Sequence, residues 1–190
     1  MTRWAHVALP AQPLAPVNAE HVVRFATIPE KADAEQRFRE ILQHYGASMR
    51  RIARVYASTT DDDEDLYQEI QFQVWRSLPS FRGEANIGTW VYRVALNTAL
   101  KFRRSARRRI RPVKEIVDTD ARTEMEPRRQ EEILKEFIAT LGAIDRSILL
   151  LYMEGLTQQQ MADVIGMNAG AIGVRIHRIK RAFEERYTEV

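Results

Sequence analysis

The chain contains no cysteine. That excludes disulfides, zinc-thiolate sites and thiol redox sensing, and it fits a reducing cytoplasm. No apolar run approaches the ~18 residues that a membrane span needs. The segment MTRWAHVALPAQPLAPVNAE carries one arginine, and Pro10, Pro13 and Pro16 break its apolar pieces. Without a continuous apolar stretch it does not read as a secretory signal. No segment alternates apolar and polar residues between hairpin turn signals, so a β-sheet has no basis. P-loop, HExxH, GxGxxG and nucleophile motifs are missing too, which leaves nothing to argue for an enzyme, a cofactor or a metal site. The acids at 61–65 are neighbours at a helix start, a poor fit to a convergent metal or nuclease site.

What is present is segregated charge. The 190 residues are 45% hydrophobic and 29% charged, with a net charge of only +3. That length allows one domain or two small ones with packed cores. Lys101 to Arg111 is almost all cation and small residue, whereas Asp61 to Asp65 is a continuous acidic run. This segregation favours contact with both a polyanion and a basic partner surface. The competing reading of the acids is a helix N-terminus enriched in negative charge.

The periodicity is helical throughout. In Ala34–Tyr56, residues Phe38, Ile41, Leu42, Tyr45, Met49, Ile52 and Tyr56 recur at helical intervals. A second helix is expected from about Asp63 to Leu78, before a break at Pro79 and Gly83. Four short helices are expected in the last third, over 131–141, 144–153, 157–165 and 168–186. The domain reading is a flexible extension at 1–30, a helical domain at 31–109, a flexible linker at 110–129 and a second helical domain at 130–190. Pro112 and Pro127 bracket the linker, which at about 3.5 Å per residue spans on the order of 60 Å. The fold class is all-α, with two small domains.

The segment FRGEANIGTWVYRVALNTALKFRRSARRR, at 81–109, carries the chemistry. At 100° per residue, Trp90, Arg93, Asn97, Lys101, Arg104 and Arg108 share about 100° of arc. Val91, Tyr92, Ala95, Leu96, Ala99 and Phe102 take the other side. Rows of cations bind phosphates and aromatic rings stack on bases, so this face reads as a nucleic-acid surface. Trp90 is either a base-stacking ring or an ordinary core residue.

Residues 157–179, TQQQMADVIGMNAGAIGVRIHRI, form a helix-turn-helix pattern. Thr157 and Asn168 can cap its helices, Ala162 is small at the crossing, and Gly166 permits a left-handed turn. Asn168, Ala169, Gly170 and Gly173 are small or polar at the N-terminal side of the second helix, where backbone can approach phosphates or thymine methyls. Arg175, His177, Arg178, Lys180 and Arg181 give that helix an exposed cationic surface. A plain αα-hairpin shares this small-residue spacing.

Together, DEDLYQEIQFQVWRSLPSFRG, TWVYRVALN and GLTQQQMADVIGMNAGAIGVRIHRIKRAF resemble regions 2 and 4 of a sigma-70-family RNA polymerase sigma factor of the extracytoplasmic-function type. The resemblance covers about 35–109 and 130–187. It implies a factor that directs core RNA polymerase to promoter DNA and assists melting of the −10 element. The alternative is a stand-alone helix-turn-helix regulator. The resemblance implies that Asp65, Gln68 and Glu69 dock on the clamp helices of the polymerase β′ subunit, with the β subunit also a partner. Phe72 and Trp75 either face outward beside them or pack on neighbouring helices. It places Arg82, Gly83, Glu84, Ala85, Asn86 and Ile87 in a loop, 82–88, that reads an extruded −10 base, with Trp90, Arg93 and Asn97 beside it. Lys101, Arg103, Arg104, Arg107 and Arg108 would hold phosphates. Asn168, Ala169, Gly170, Gly173, Arg175, His177, Arg178 and Arg181 would meet the −35 element. Relatives are often held by an anti-sigma factor, which makes one a further expected partner.

Two positions depart from the family pattern. Leu141-Gly142 replaces a Leu-Pro, and Gly173-Val174 replaces a polar pair of the recognition helix.

Overall fold

The computed structural model describes the backbone of residues 31–109 and 126–187, and the side chains of residues 34–105 and 132–187. The expected extension at 1–30 and most of the expected linker fall outside the described residues. Seven α-helices make up the described part, with one short 3₁₀ turn and no strand among the described residues.

Three helices form the first half: α1 (Lys31–Tyr56), α2 (Thr60–Ser77) and α3 (Ile87–Arg109). Each packs on the other two. Leu66, Ile70 and Val74 recur every four residues along α2 and are fully buried, as one apolar stripe requires. They meet Met49, Ile52 and Ala53 of α1 and Val91, Ala95 and Ala99 of α3 in one core. At the start of α2, the Thr59 side chain accepts from the Asp62 amide at 3.1 Å. Asp61, Asp62 and Asp63 occupy its first turn, where the helix dipole favours negative charge. The Leu78–Ser80 3₁₀ turn then ends the element at Pro79.

The second half holds α4 (Glu126–Thr140), α5 (Ala143–Met153), α6 (Gln158–Ile165) and α7 (Ala169–Tyr187). Helix α4 begins five residues before the expected 131. Pro127, read from sequence as the linker's far bracket, lies in its first turn, where a missing N–H costs nothing. Phe137, Phe183 and Tyr187 form an aromatic cluster, the first two edge to face at 5.0 Å. Arg146 is 5% exposed. Its guanidinium donates to the carbonyls of Ile138, Ala139 and Leu141 at 3.1, 2.9 and 3.3 Å. It thus adds donors to carbonyls at the end of α4 and just past it, where the helix runs out of its own, that of Ile138 also accepting from the Leu141 amide at 3.2 Å. Gly142, the first family departure, has φ −61° and ψ 161°. That φ is the one proline fixes, so the departure changes the residue and keeps the backbone.

The two halves touch. Helix α6 packs across α3, and Tyr56 of α1 hydrogen-bonds to Ser147 of α5 at 2.7 Å.

Candidate nucleic-acid interface

Asn86 sets the start of α3. Its side-chain oxygen accepts from the Gly88 amide at 2.8 Å and its carbonyl from Trp90 at 3.0 Å, an Asx cap that satisfies otherwise orphaned donors. A Cβ on Gly88 would lie 2.9 Å from the Tyr45 hydroxyl, so a glycine lets α3 begin tight against α1. The expected loop, 82–88, therefore ends two residues earlier than the sequence placed it. Ile87 is 6% exposed and belongs to the core. This corrects its place among the base-reading residues, because a buried side chain has no surface to offer a base. Arg82, Gly83, Glu84 and Asn86 are exposed and Ala85 is half-buried. Gly83 has φ 74°, a left-handed bend that glycine adopts without strain.

Beyond the cap, α3 divides as its periodicity demands. Arg93, Asn97, Lys101 and Arg104 are exposed, Arg103 is half-buried, and Val91, Tyr92, Ala95, Leu96 and Ala99 are buried. Arg107 and Arg108 lie on the same helix, with side chains outside the described residues. Trp90 is half-buried, its ring 5.1 Å from Phe81. Its packing role is therefore filled, with part of the ring still bare.

The outward face of α2 carries Asp65, Gln68, Glu69 and Phe72, all exposed. Phe72 is 52% and Trp75 38% exposed, Trp75 also meeting Phe38 edge-on at 5.2 Å. Two of the acids turn elsewhere. Glu64 receives Arg50 at 2.8 Å, and Asp63 lies 3.9 Å from Arg50 and 3.8 Å from Arg54. The acidic run is thus split between an intramolecular contact with α1 and the outward face.

The helix-turn-helix closes at three caps. Thr157 accepts from the Gln160 amide at 3.2 Å while the Gln160 side chain accepts from the Thr157 amide at 2.8 Å, a reciprocal capping box. Gly166 has φ 78°. Asn168 accepts from the Ala171 amide at 2.9 Å. Arg175 and Arg178 both grip Asp145 of α5, at 2.6 and 2.9 Å. Arg181 pairs with Glu185 at 2.6 Å, and Lys180 donates to the Tyr152 hydroxyl at 2.8 Å. His177 is exposed and Ala169 and Gly170 lie at the helix start. Gly173 lies against α6, where a Cβ would come 2.9 Å from the Gln158 side-chain oxygen. Its smallness therefore has a reason within the fold. The residue that sequence reasoning passed over is Val174, 70% exposed amid these cations. The departure at 173–174 was its only signal.

A polar cluster joins the halves. Glu154, just past α5, is 8% exposed. It accepts from Ser48 at 2.5 Å, from Arg51 at 2.5 and 2.8 Å, and from Tyr92 at 3.0 Å. Burial pushes the Glu154 carboxyl up, but the Arg51 guanidinium and the two hydroxyls more than reverse this and hold it below the usual carboxylate range. Burial, and then the Glu154 charge, push the Tyr92 phenol far up. Nearby, the Arg93 guanidinium donates to the carbonyl of Asp163, in the last turn of α6.

Among the described residues no group of His, Cys, Asp and Glu is placed to hold a metal, and no helix is long and apolar enough to cross a membrane. The family model described as Sigma-70 region 2 matches residues 41–109, and Sigma-70, region 4 matches 131–183. The chain is 30% identical over 142 residues to the ECF RNA polymerase sigma-E factor of Haemophilus influenzae, covering 66% of this chain and 75% of that one. It is similar in fold to CnrH in complex with the cytosolic domain of CnrY (TM-score 0.62, 20% identity, 83% of this chain and 94% of that). The sigma factor RpoE in complex with the anti-sigma factor NepR, from Bartonella quintana, aligns with TM-score 0.62 at 21% identity, over 79% of this chain and 96% of that one. With both family regions matched in order and two helical halves in place to carry them, the chain belongs to the sigma-70 family, extracytoplasmic-function type, whose members direct RNA polymerase in transcription initiation.

Proposed function

We propose a division of labour in which 31–109 binds core polymerase and opens the −10 element while 130–190 holds the −35 element. The observation that carries it is the α3 face: Arg93, Asn97, Lys101 and Arg104 stand exposed along one side of a helix whose other side is core. Asn97, with the exposed loop 82–86, offers amide, guanidinium and backbone groups to an unstacked base, which offsets part of a melting cost of a few kcal/mol. Lys101, Arg103 and Arg104, followed by Arg107 and Arg108, hold phosphates without reading sequence. The α2 face of Asp65, Gln68, Glu69 and Phe72 docks on the polymerase β′ clamp helices, its acids setting orientation and association rate.

On the −35 side, Arg175 and Arg178 are held side by side by Asp145, and a paired guanidinium set suits phosphate. His177 and Arg181 extend the same surface, and the Asn168–Gly170 turn brings backbone amides near it. Val174 is the exposed apolar group of that surface, fit to meet a thymine methyl. An anti-sigma factor is a further partner in this reading, supported by the two similar structures, each a sigma factor bound to a second protein. All of these partners are ones met beside polymerase in the cytoplasm, and the chain's own role is recognition rather than catalysis. The stand-alone regulator reading leaves the exposed Phe72 and Trp75 and the α3 face without a task.

Asn97→Ala tests the assignment. It should lower initiation about tenfold, the low end of the ~1–3 kcal/mol that a base-reading contact contributes, and leave affinity for core polymerase unchanged. Equal transcription by variant and parent would remove the pocket role from Asn97.

A further inference from the structure

Among the described residues, an apolar groove of about 490 Å³ lies where the start of α1 passes the end of α2. Glu35, Phe38 and Arg39 line it from α1, and Gln71, Phe72 and Trp75 from α2. Its floor is aromatic. Phe38 is half-buried and meets Trp75 edge-on at 5.2 Å, while Phe72 and Trp75 keep 52% and 38% of their surface exposed. The volume falls in the range of about 300–1,000 Å³ that takes a compact apolar ligand. Grouped bare rings of this kind gain free energy from any apolar cover.

The chain itself carries a cover that fits. The residues that run directly into α1 read HVVRFATIPE, at 21–30. Val22, Val23, Phe25 and Ile28 are apolar, and Arg24 is the one charge between Val22 and Ile28. The reach is sufficient. Phe38 lies about 10 Å along the axis from Lys31, the first residue of α1, at about 1.5 Å per residue. Residues 26–30 extend to about 17 Å at about 3.5 Å each, enough to reverse and bring Val22 to Phe25 beside Phe38 and Trp75. Pro29 disfavours helix at Ile28, which gives the chain a place to turn. The rim accepts the one charge: Glu35 is opposite in sign to Arg24, and Arg39 already donates to Gln36 at 3.0 Å.

We infer that residues 22–28 of this chain fold back over the groove, and that core polymerase has to displace them to reach Phe72. The displacement rests on the docking face proposed above; the cover itself does not. A segment tied this closely to its site has an effective concentration on the order of 1 mM. An intrinsic affinity of only about 0.5 mM then keeps the groove covered about two-thirds of the time, and lowers the apparent polymerase affinity about threefold. Phe72 is shared by both occupants, so Phe72→Ala loses the polymerase contact and regains at most about this threefold.

The absence of native cysteine makes the test direct. Arg24→Cys on the full chain carries bimane, a dye that a touching tryptophan quenches, and leaves the apolar residues of the segment in place. Its emission should be quenched to the same degree at every protein concentration, because the contact is intramolecular. Trp75→Leu should restore the emission, and Phe25→Asp should raise it about threefold. Phe25→Ala should act in the same direction by a smaller factor, and circular dichroism checks that helix content is retained. With Arg24 native, Phe25→Asp should tighten the apparent Kd for core polymerase about threefold, and polymerase added to the labelled chain should release the dye. Emission unchanged by Trp75→Leu or by Phe25→Asp would overturn the cover. Quenching that fades on dilution would make a second copy the occupant, which overturns it as well. If both substitutions release the dye, but polymerase neither releases it nor binds Phe25→Asp more tightly, the cover stands and the α2 docking face fails.

Discussion

Phe72→Ala separates a docking role from a folding role. The Phe72 ring is 52% exposed, with Arg76 5.8 Å from its centroid as a near neighbour. Its backbone sits mid-helix between buried Ile70 and Val74, so alanine, the best helix former, keeps α2 intact. Surface substitutions of this kind change stability by about 0.5 kcal/mol or less. A phenylalanine offers roughly 200 Å² to burial, so about 100 Å² of it is still bare. Covering that area at about 25 cal/mol per Å² contributes about 2.5 kcal/mol. Incomplete coverage brings the expected loss to about 2 kcal/mol, on the order of 30-fold in Kd. The assay pairs thermal unfolding of the free chain with equilibrium binding to fluorescently labelled core polymerase. The expected pattern is an unchanged Tm with weakened binding. A Kd within about twofold of the parent, with measured precision better than that, refutes the placement of Phe72 in the docking face. A large fall in Tm instead would show that the ring packs on its own fold.

Thr157→Ala removes the reciprocal cap of α6 and should destabilise the chain by about 1 kcal/mol. Thermal unfolding should read this as a Tm lowered by a few degrees, and an unchanged Tm would mean that water replaces the cap at no cost. Acid should weaken the Glu154 cluster. Glu154 is held below the usual carboxylate range, so its contribution to stability is fully present above that range and is lost as pH falls through the lowered value. Around it, Arg51 stays charged, Tyr92 stays a neutral phenol because its titration is pushed up, and Ser48 carries no charge. The share of stability that Glu154 supplies should therefore hold from neutral pH down to about pH 5 and fall below the usual carboxylate range near pH 4. Thermal unfolding of Glu154→Gln should show a smaller fall in Tm over that range, and a fall of equal size in the variant would assign it to another group.

The helices were legible because their apolar spacing is local. Leu66, Ile70 and Val74 define the buried side of α2, and the same rule separates Val91 and Ala95 from Arg93 and Asn97 on α3. Gly166 and Thr157 were legible as turn and cap for the same reason. Asn86 was also readable, as an Asx residue ahead of a periodic run, yet its match to a base-reading loop drew Ile87 into the wrong class. The partners of the charged residues were not legible. Glu154 and Ser48 are 106 residues apart, and Arg175 and Asp145 are 30 apart. No spacing rule links such pairs, since packing of whole helices decides them. The acidic run shows the same limit. Its composition points outward, but the approach of α1 turns Asp63 and Glu64 toward Arg50. Pro127 was read as the far bracket of the linker because its place within a first turn depends on where α4 begins.

The most direct measurement of the central claim is reconstituted initiation. Core RNA polymerase is mixed with the purified chain and a library of genomic fragments, and 5′ ends of the transcripts are sequenced. A promoter-selecting factor should produce start sites that share upstream −10 and −35 sequences, with transcripts absent when either the chain or the polymerase is omitted. Initiation indistinguishable from core polymerase alone, alongside tight sequence-specific duplex binding by the isolated chain, would contradict it.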